Sequence, residues 1–283
     1  MSLMIKIREN KDFTENEKYV AEYILKNIRN IRSIPAMDIS KNTYTSISTV
    51  TRMCKKLGFK GFQEFRLKAI EEMALIGNKE MVVNNSDIDE NCDTKDIIEK
   101  ISKLSIISLK ETKMLQDADI IDKIVDLINE KSVIDFYGMG ASHIVCLDAQ
   151  YKFMRVGKIV NTFNGTDLQH VQAVNSDDNH LAIIVSYSGM TKEILDIVKI
   201  LKEKGVTTVS ITKYVTNAIA KLCDYNLYVT SKESFKRSAA IYSRISILNL
   251  IDVIYLAYSN KNYKEVVKRI NETKIEKIEN QKE

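Results

Sequence analysis

A chain of 283 residues, 45% apolar and 28% charged, has the composition of a folded, water-soluble protein with room for two domains, which excludes a disordered or collagen-like chain. The net charge of +4 decides little, but its placement is uneven: residues 1–77 hold 14 Lys/Arg against 9 Asp/Glu, and the rest is close to neutral. A basic first module suits a phosphate-backbone partner. The four cysteines, Cys54, Cys92, Cys146 and Cys223, form no Cys-x-x-Cys pair, and the three histidines lie far apart. No metal or other cofactor is therefore expected, and with no secretory signal the thiols are expected to be reduced and the protein cytoplasmic.

In chain order, Thr14-Glu-Asn-Glu17 is a capping box, so a helix is predicted from there to about Asn30, with Val20, Ala21, Ile24, Leu25 and Ile28 on its apolar side. Ser33 and Pro35, the one proline, announce a second short helix through Ile39. After the polar turn Lys41–Thr45, Ser46 caps a third helix that runs to Leu57 and is stopped by Gly58. Two short helices joined by a polar turn, the second bearing Thr49, Thr51, Arg52, Lys55 and Lys56, is the pattern of a helix-turn-helix. A merely solvated helix face has the same periodicity. Val50, Met53, Leu57, Phe59, Phe62 and Phe65 read as the core of this small domain. Residues 78–95, rich in Asn and Asp, read as a linker that divides a domain over 1–77 from one over 96–283.

Helical spacing over Asp96–Asn129 predicts two helices before the first strand, Val133–Tyr137. Strands then recur at Lys158–Phe163, Leu181–Val185, Thr207–Ile211 and Tyr225–Val229 with helices between them, which is the signature of a parallel sheet. Two crossings stand out. Gly138-x-Gly-x-Ser142 follows the first strand, and Ser186-Tyr-Ser-Gly-Met-Thr191 follows Leu181–Val185, each running into a helix. Free N–H groups and the helix dipole at such a point favour an anion, and the hydroxyls supply donors to its oxygens. An ordinary N-capped turn uses the same residue types. Ile241–Tyr258 is apolar nearly all round, yet it carries Arg244, Asn249 and Asp252, which are costly in lipid. It is expected to pack between the sheet and a second subunit. Residues 262–283 read as a charged tail, helical or frayed.

Gly138-x-Gly-x-Ser142, Ser186-x-Ser-Gly-x-Thr191, Arg237-Ser238 and Ser243-Arg244 together resemble the SIS phosphosugar-binding domain over about residues 100–260. Thr49-Val50-x-Arg52-x-Cys54-x-Lys56-Leu57-Gly58-Phe59-Lys60-Gly61-Phe62-x-Glu64-Phe65 is similar to the recognition-helix region of the RpiR family of bacterial transcriptional regulators, which place this domain ahead of a SIS domain. The resemblance implies an all-α helix-turn-helix N-terminal domain followed by an α/β/α SIS domain with a five-stranded parallel sheet. It further implies a sequence-specific regulator of carbohydrate metabolism that binds operator DNA as a homodimer or homotetramer and senses a sugar phosphate. Ligand contacts would come from Gly138, Gly140, Ser142, Ser186, Ser188, Gly189, Thr191, Glu233 and Arg237. Contacts to DNA would come from Ser46, Ser48, Thr49, Thr51, Arg52, Lys55, Lys56 and Lys60, with the lysines suited to phosphates and Thr49 and Thr51 to base edges or phosphates.

The second reading is an isomerase or lyase, since many SIS domains are enzymes. That chemistry needs a base near neutrality, for which Glu233 is the best candidate and His143, His170 and Glu193 are weaker ones. The attached basic helix-turn-helix favours the sensor. A nucleotide site is set aside because the third glycine and a Walker lysine are missing. The segment Asn164–Gln169 departs from the family, carrying Gly165 and Asp167 where many relatives have Asp and His, so the identity of the sugar is not transferable.

Overall fold

The computed structural model describes residues 12–77, 92–230 and 240–274, together with residues 3, 6, 7 and 10. The chain divides into two compact units: residues 1–86 with 113–117, and residues 87–112 with 118–283. The expected linker over 78–95 lies outside the described residues from 78 to 91, and Thr94 already opens a helix.

In the N-terminal unit, α1 (Glu15–Asn27) begins at the predicted capping box. Thr14 Oγ1 accepts from the Glu17 N–H, and Glu17 Oε2 accepts from the Thr14 N–H at 2.8 Å. Pro35 precedes α2 (Ala36–Asn42), Ser46 caps α3 (Ile47–Lys56), and α4 (Phe62–Gly77) leads out of the unit. Gly58 ends α3 with φ +91°, a backbone region that costs glycine little. Both α1 and α2 pack on α3, burying Val20, Ile24, Ile39, Val50, Met53 and Leu57. Each such side chain contributes about 1.5–3 kcal/mol when fully removed from water. Phe65 is fully buried between Phe62 and Phe59; Phe59 itself is half-buried and meets Phe65 edge-on at 5.7 Å.

The C-terminal unit opens with α5 (Thr94–Met114) and α6 (Ala118–Glu130) and then alternates strand and helix. The order is β1 (Val133–Gly138), α7 (Ala141–Arg155), β2 (Ile159–Asn161), α8 (Thr166–Asn175), β3 (His180–Val185), α9 (Lys192–Glu203), β4 (Thr207–Lys213), α10 (Ala218–Leu222) and β5 (Tyr225–Val229). Two helices close the described chain, α11 (Ile241–Lys261) and α12 (Tyr263–Glu272). The five strands form one parallel sheet in the order β2-β1-β3-β4-β5, with Val133 opposite His180 and Leu181 opposite Thr207.

Alternation along β3 explains the layers. Leu181, Ile183 and Val185 join α6, α7 and α11 in one core, while Ala182 and Ile184 face α9 and α10 in the other. The helix α11 is long and apolar enough to cross a bilayer on composition alone, but Ile247, Leu250, Ile251 and Ile254 are buried in the first of these cores. The four cysteines are free, and burial pushes the Cys54 and Cys223 thiols up to about 12, which leaves them poor nucleophiles.

One polar cluster ties the amino end of the sheet. Asp135 on β1 is fully buried; it accepts from Asn161 Nδ2 on β2 at 3.0 Å and from Ser176 Oγ after α8 at 2.9 Å. His180 Nδ1 at the start of β3 lies 2.6 Å from the same carboxylate.

Candidate functional sites

Beyond the carboxyl ends of β1 and β3 lies a cavity of about 290 Å³, at the point where the strand order reverses. That volume is near the low end for small-molecule clefts, about 300–1,000 Å³, and suits a monosaccharide better than a dinucleotide. Both predicted loops line it through Gly140, Ser142, Ser186, Ser188 and Thr191. Gly138 and Gly189 do not line it; they permit the loops to take their shape. A Cβ on Gly138 would lie 2.9 Å from Cys146 Sγ and 3.2 Å from the Ser142 carbonyl, so glycine lets β1 run close under α7. At Gly189, with φ +63°, a Cβ would fall 2.1 Å from the Asn217 side chain.

The loop after β3 is drawn tight by its own polar groups. The Gly189 N–H donates to the Ser186 carbonyl, the Met190 N–H donates to Ser188 Oγ, and Ser186 Oγ and Thr191 Oγ1 lie 3.4 Å apart. Thr191 stands at the N-cap of α9, yet its side chain makes no capping bond. Gly140 and Ala240, at the N-caps of α7 and α11, supply none either. All three N-cap residues line the one cavity. Three helix starts without a bond from their N-cap side chains bring their positive dipole ends to one place, each favouring an anion by about 0.3–1 kcal/mol, although in α7 the Ser142 and His143 N–H groups already donate to the Met139 and Gly140 carbonyls.

Glu233 and Arg237 lie outside the described residues. Arg244, on the first turn of α11, lines the cavity and has no carboxylate partner among the described residues. On sequence Arg244 belongs to the Ser243-Arg244 pair that resembles the family, with no ligand role implied for it. Ala240, Ser243, Arg244 and Ile247 recur at helical spacing along one face, which is the signal that finds it. Among the described lining residues Arg244 is the only charged one, and none is Asp, Glu, His or Lys. The other candidate bases lie elsewhere. His143 is buried and burial pushes its pKa down; His170 and Glu193 are exposed and do not line the cavity. Gln169, in the segment that departs from the family, is a clamp: its Nε2 donates to the Gly138 and Phe163 carbonyls at 2.8 Å, and its Oε1 accepts from the Gly138 N–H at 3.2 Å.

In the N-terminal unit, burial sorts the residues of α3. Thr49, Val50, Met53 and Cys54 point inward, while Ile47, Ser48, Arg52 and Lys55 are exposed and Thr51 is half-exposed. Ser46 Oγ accepts the Thr49 N–H at 3.2 Å, so it is used as a cap. Thr49 is 4% exposed, and its hydroxyl is shared between Ser46 Oγ at 3.0 Å and Arg52 Nη2 at 3.3 Å, a geometry that orients Arg52 and leaves Thr49 no reach to a base. Lys56 turns back into the fold. Its ammonium donates to Glu17 Oε2 and to the Asp12 carbonyl, both at 2.6 Å. Thr49 and Lys56 are both expected at DNA on sequence, whereas here Thr49 packs inward and Lys56 pairs with a buried carboxylate. Lys55 and Lys60 keep exposed side chains with no ion pair among the described residues. Lys55→Gln and Lys60→Gln are each expected to flatten the slope of log affinity against log salt by about one unit, and Lys56→Gln to leave it unchanged. Titration of a duplex at several salt concentrations checks this.

Known proteins fit this geometry. Residues 1–75 match the helix-turn-helix domain of the rpiR family, and residues 126–257 match the SIS domain. An HTH-type transcriptional regulator of Caldanaerobacter subterraneus is 34% identical over 268 residues, covering 94% of each chain. The Vibrio vulnificus NanR protein, solved in complex with ManNAc-6P, superposes with a TM-score of 0.61 at 27% identity over 96% of each chain. The sugar isomerase domain of an RpiR transcription factor from Sphaerobacter thermophilus shares the fold alone, with a TM-score of 0.56 at 16% identity over 62% of this chain and 97% of its own. Signature, length and domain order agree: the chain belongs to the RpiR family of helix-turn-helix transcriptional regulators, with a SIS domain as its C-terminal part.

Proposed function

We propose that this regulator binds operator DNA through the exposed face of α3 and a sugar phosphate in the cavity at the β1 and β3 ends, each modulating affinity for the other. One observation carries the ligand half: three helix starts without side-chain caps, four hydroxyls and a guanidinium with no carboxylate partner among the described residues line a cavity of monosaccharide size. In this reading Ser186, Ser188 and Thr191 hold the phosphate with the first turn of α9, and Arg244 neutralises charge from the α11 side. Binding requires nothing more of the site. Isomerisation would need a base, and the described lining has none. The NanR relative binds ManNAc-6P, so phosphorylated N-acyl amino sugars belong first in a ligand panel.

On the DNA side, a symmetric dimer would present two α3 helices to successive major grooves, about 34–36 Å apart, on a near-palindromic site. Exposed Ile144, Leu147, Tyr151 and Met154 form one stripe along α7 that a second copy would cover, which supports a homodimer.

At a hundredfold excess over its dissociation constant, the cognate sugar phosphate is expected to add about 2.7 kcal/mol to the stability of the C-terminal unit, read by thermal shift. Ser188→Ala, Thr191→Val and Arg244→Ala should each reduce that shift, and the unphosphorylated sugar should give far less. A broad phosphosugar panel without any shift would overturn the ligand reading. By linkage, ligand should move DNA affinity, and DNA should move ligand affinity, by the same factor, corresponding to about 1–3 kcal/mol. DNA titration with and without ligand measures it. DNA affinity indifferent to ligand, with turnover of the sugar seen by NMR, would favour the isomerase instead.

A further inference from the structure

The DNA-facing side of the N-terminal unit carries two large apolar residues that packing does not explain. Tyr44, in the turn between α2 and α3, is 98% exposed, and Ile47, the first residue of α3, is 49% exposed. Tyr44 also has φ +52°, one of two non-glycine residues with positive φ among those described. Glycine reaches that conformation freely and tyrosine does not.

The turn keeps its shape without help from the ring. The Thr45 N–H donates to the Ser40 carbonyl at 2.9 Å, Thr43 Oγ1 donates to the Ile39 carbonyl at 2.8 Å, and the Thr43 and Thr45 hydroxyls lie 2.9 Å apart. So the ring of Tyr44, almost fully exposed, adds next to nothing to the packing of the described residues, while its backbone is held in a conformation that disfavours it. Ile47 shares its helical row with Thr51 and Lys55, and the neighbouring row holds Ser48 and Arg52. An apolar pair at the leading end of a polar and cationic face matches the surface of a duplex, where a thymine offers the one methyl group in the major groove and the backbone offers sugars and anionic oxygens.

We propose that Tyr44 and Ile47 form an apolar contact edge for duplex DNA, Ile47 packing on the C5-methyl group of a thymine and Tyr44 lying on the adjoining sugar with its hydroxyl donated to a phosphate. This rests on the DNA-binding reading of α3. The contact gives the regulator a preference for thymine at one position of each half-site that no hydrogen bond from Arg52 or Ser48 accounts for. A neutral hydroxyl displaces no counterion, so Tyr44 adds affinity without adding to the salt slope.

The test uses the full-length protein and a duplex that it selects from a random-sequence library, with each thymine replaced in turn by uracil, which removes only the methyl group. At one thymine per half-site the parent should lose roughly three- to fivefold in affinity, the worth of one buried methyl. Ile47→Ala should bind the thymine duplex about as weakly and show no further loss on the uracil one. Tyr44→Phe should weaken binding at every salt concentration with an unchanged slope, and Tyr44→Gly should weaken it more while the melting temperature does not fall. Uracil sensitivity that survives Ile47→Ala, or Tyr44→Gly binding as the parent does, overturns the proposal and leaves DNA binding intact. Failure of the parent to select any duplex overturns the DNA-binding reading, and this contact with it.

Discussion

Gly189→Ala is expected to abolish the stabilisation of the C-terminal unit by sugar phosphate and to cost about 2–4 kcal/mol of stability, combining left-handed strain with overpacking. The added Cβ would fall 2.1 Å from both Cγ and Oδ1 of Asn217. That side chain is 3% exposed and is pinned at both ends. Its Oδ1 accepts the Ala220 N–H at 2.8 Å, and its Nδ2 donates to Thr212 Oγ1 and to the Val215 carbonyl, each at 3.0 Å. The loop must therefore move instead, taking Ser186, Ser188 and Thr191 out of register, because Asn217 cannot. Gly205→Ala is the control. Gly205 also has positive φ, +71°, but a Cβ there meets nothing within 4 Å, so it should show strain alone and keep its ligand response. Thermal shift of both variants with the same phosphosugar decides; a normal ligand shift in Gly189→Ala would mean that this loop does not hold the phosphate.

Lys56→Met should loosen the N-terminal unit by about 1–3 kcal/mol. Removing one partner of a buried pair costs more, about 3–5 kcal/mol, but Lys56 is 35% exposed and solvent screens part of the interaction. The Glu17 carboxylate, 3% exposed at its side chain, would keep the bond from the Thr14 N–H among the described residues. Burial pushes the Glu17 carboxyl up, but the bonds from Lys56 and Thr14 outweigh it and hold the group below its ordinary value. A carboxyl lowered in the folded state stabilises the fold fully above its unfolded pKa, near 4.5, and that contribution drains away as pH falls through the folded value. The parent should thus lose protection of the α1 and α3 amides on acidification, measured by hydrogen exchange. Lys56→Met should start lower and show a flatter acid limb, and Glu17→Gln combined with it should recover part of the loss. Full protection in Lys56→Met would show the pair to be dispensable.

Much of this was legible because the signals are local. The capping box Thr14–Glu17 needs four residues, and the run Leu181–Val185 with the hydroxyls after it places strand, loop and helix within a dozen. What escaped were pairings between distant positions. Lys56 meets Glu17 across 39 residues, so by periodicity alone it is one more exposed cation. Gln169 clamps Gly138 across 31 residues, and nothing in either neighbourhood announces it. Thr49 is different: it stands four residues before Met53 on the buried side of α3, so its inward direction was present in the spacing but was outweighed by its polar chemistry.

Asp135 places an unequal burden on the sheet. An apolar core position such as Ile183 has neighbours that can shift to absorb a changed volume, so substitutions there are graded in their effect. Asn161, Ser176 and His180, from three different stretches of chain, converge instead on one carboxylate that no neighbouring group can replace. In a saturation scan the apolar positions of β1 and β3 should accept several residues each, and position 135 scarcely any. Neutral drift in this chain is then channelled by one buried acid more than by the bulk of its hydrophobic interior.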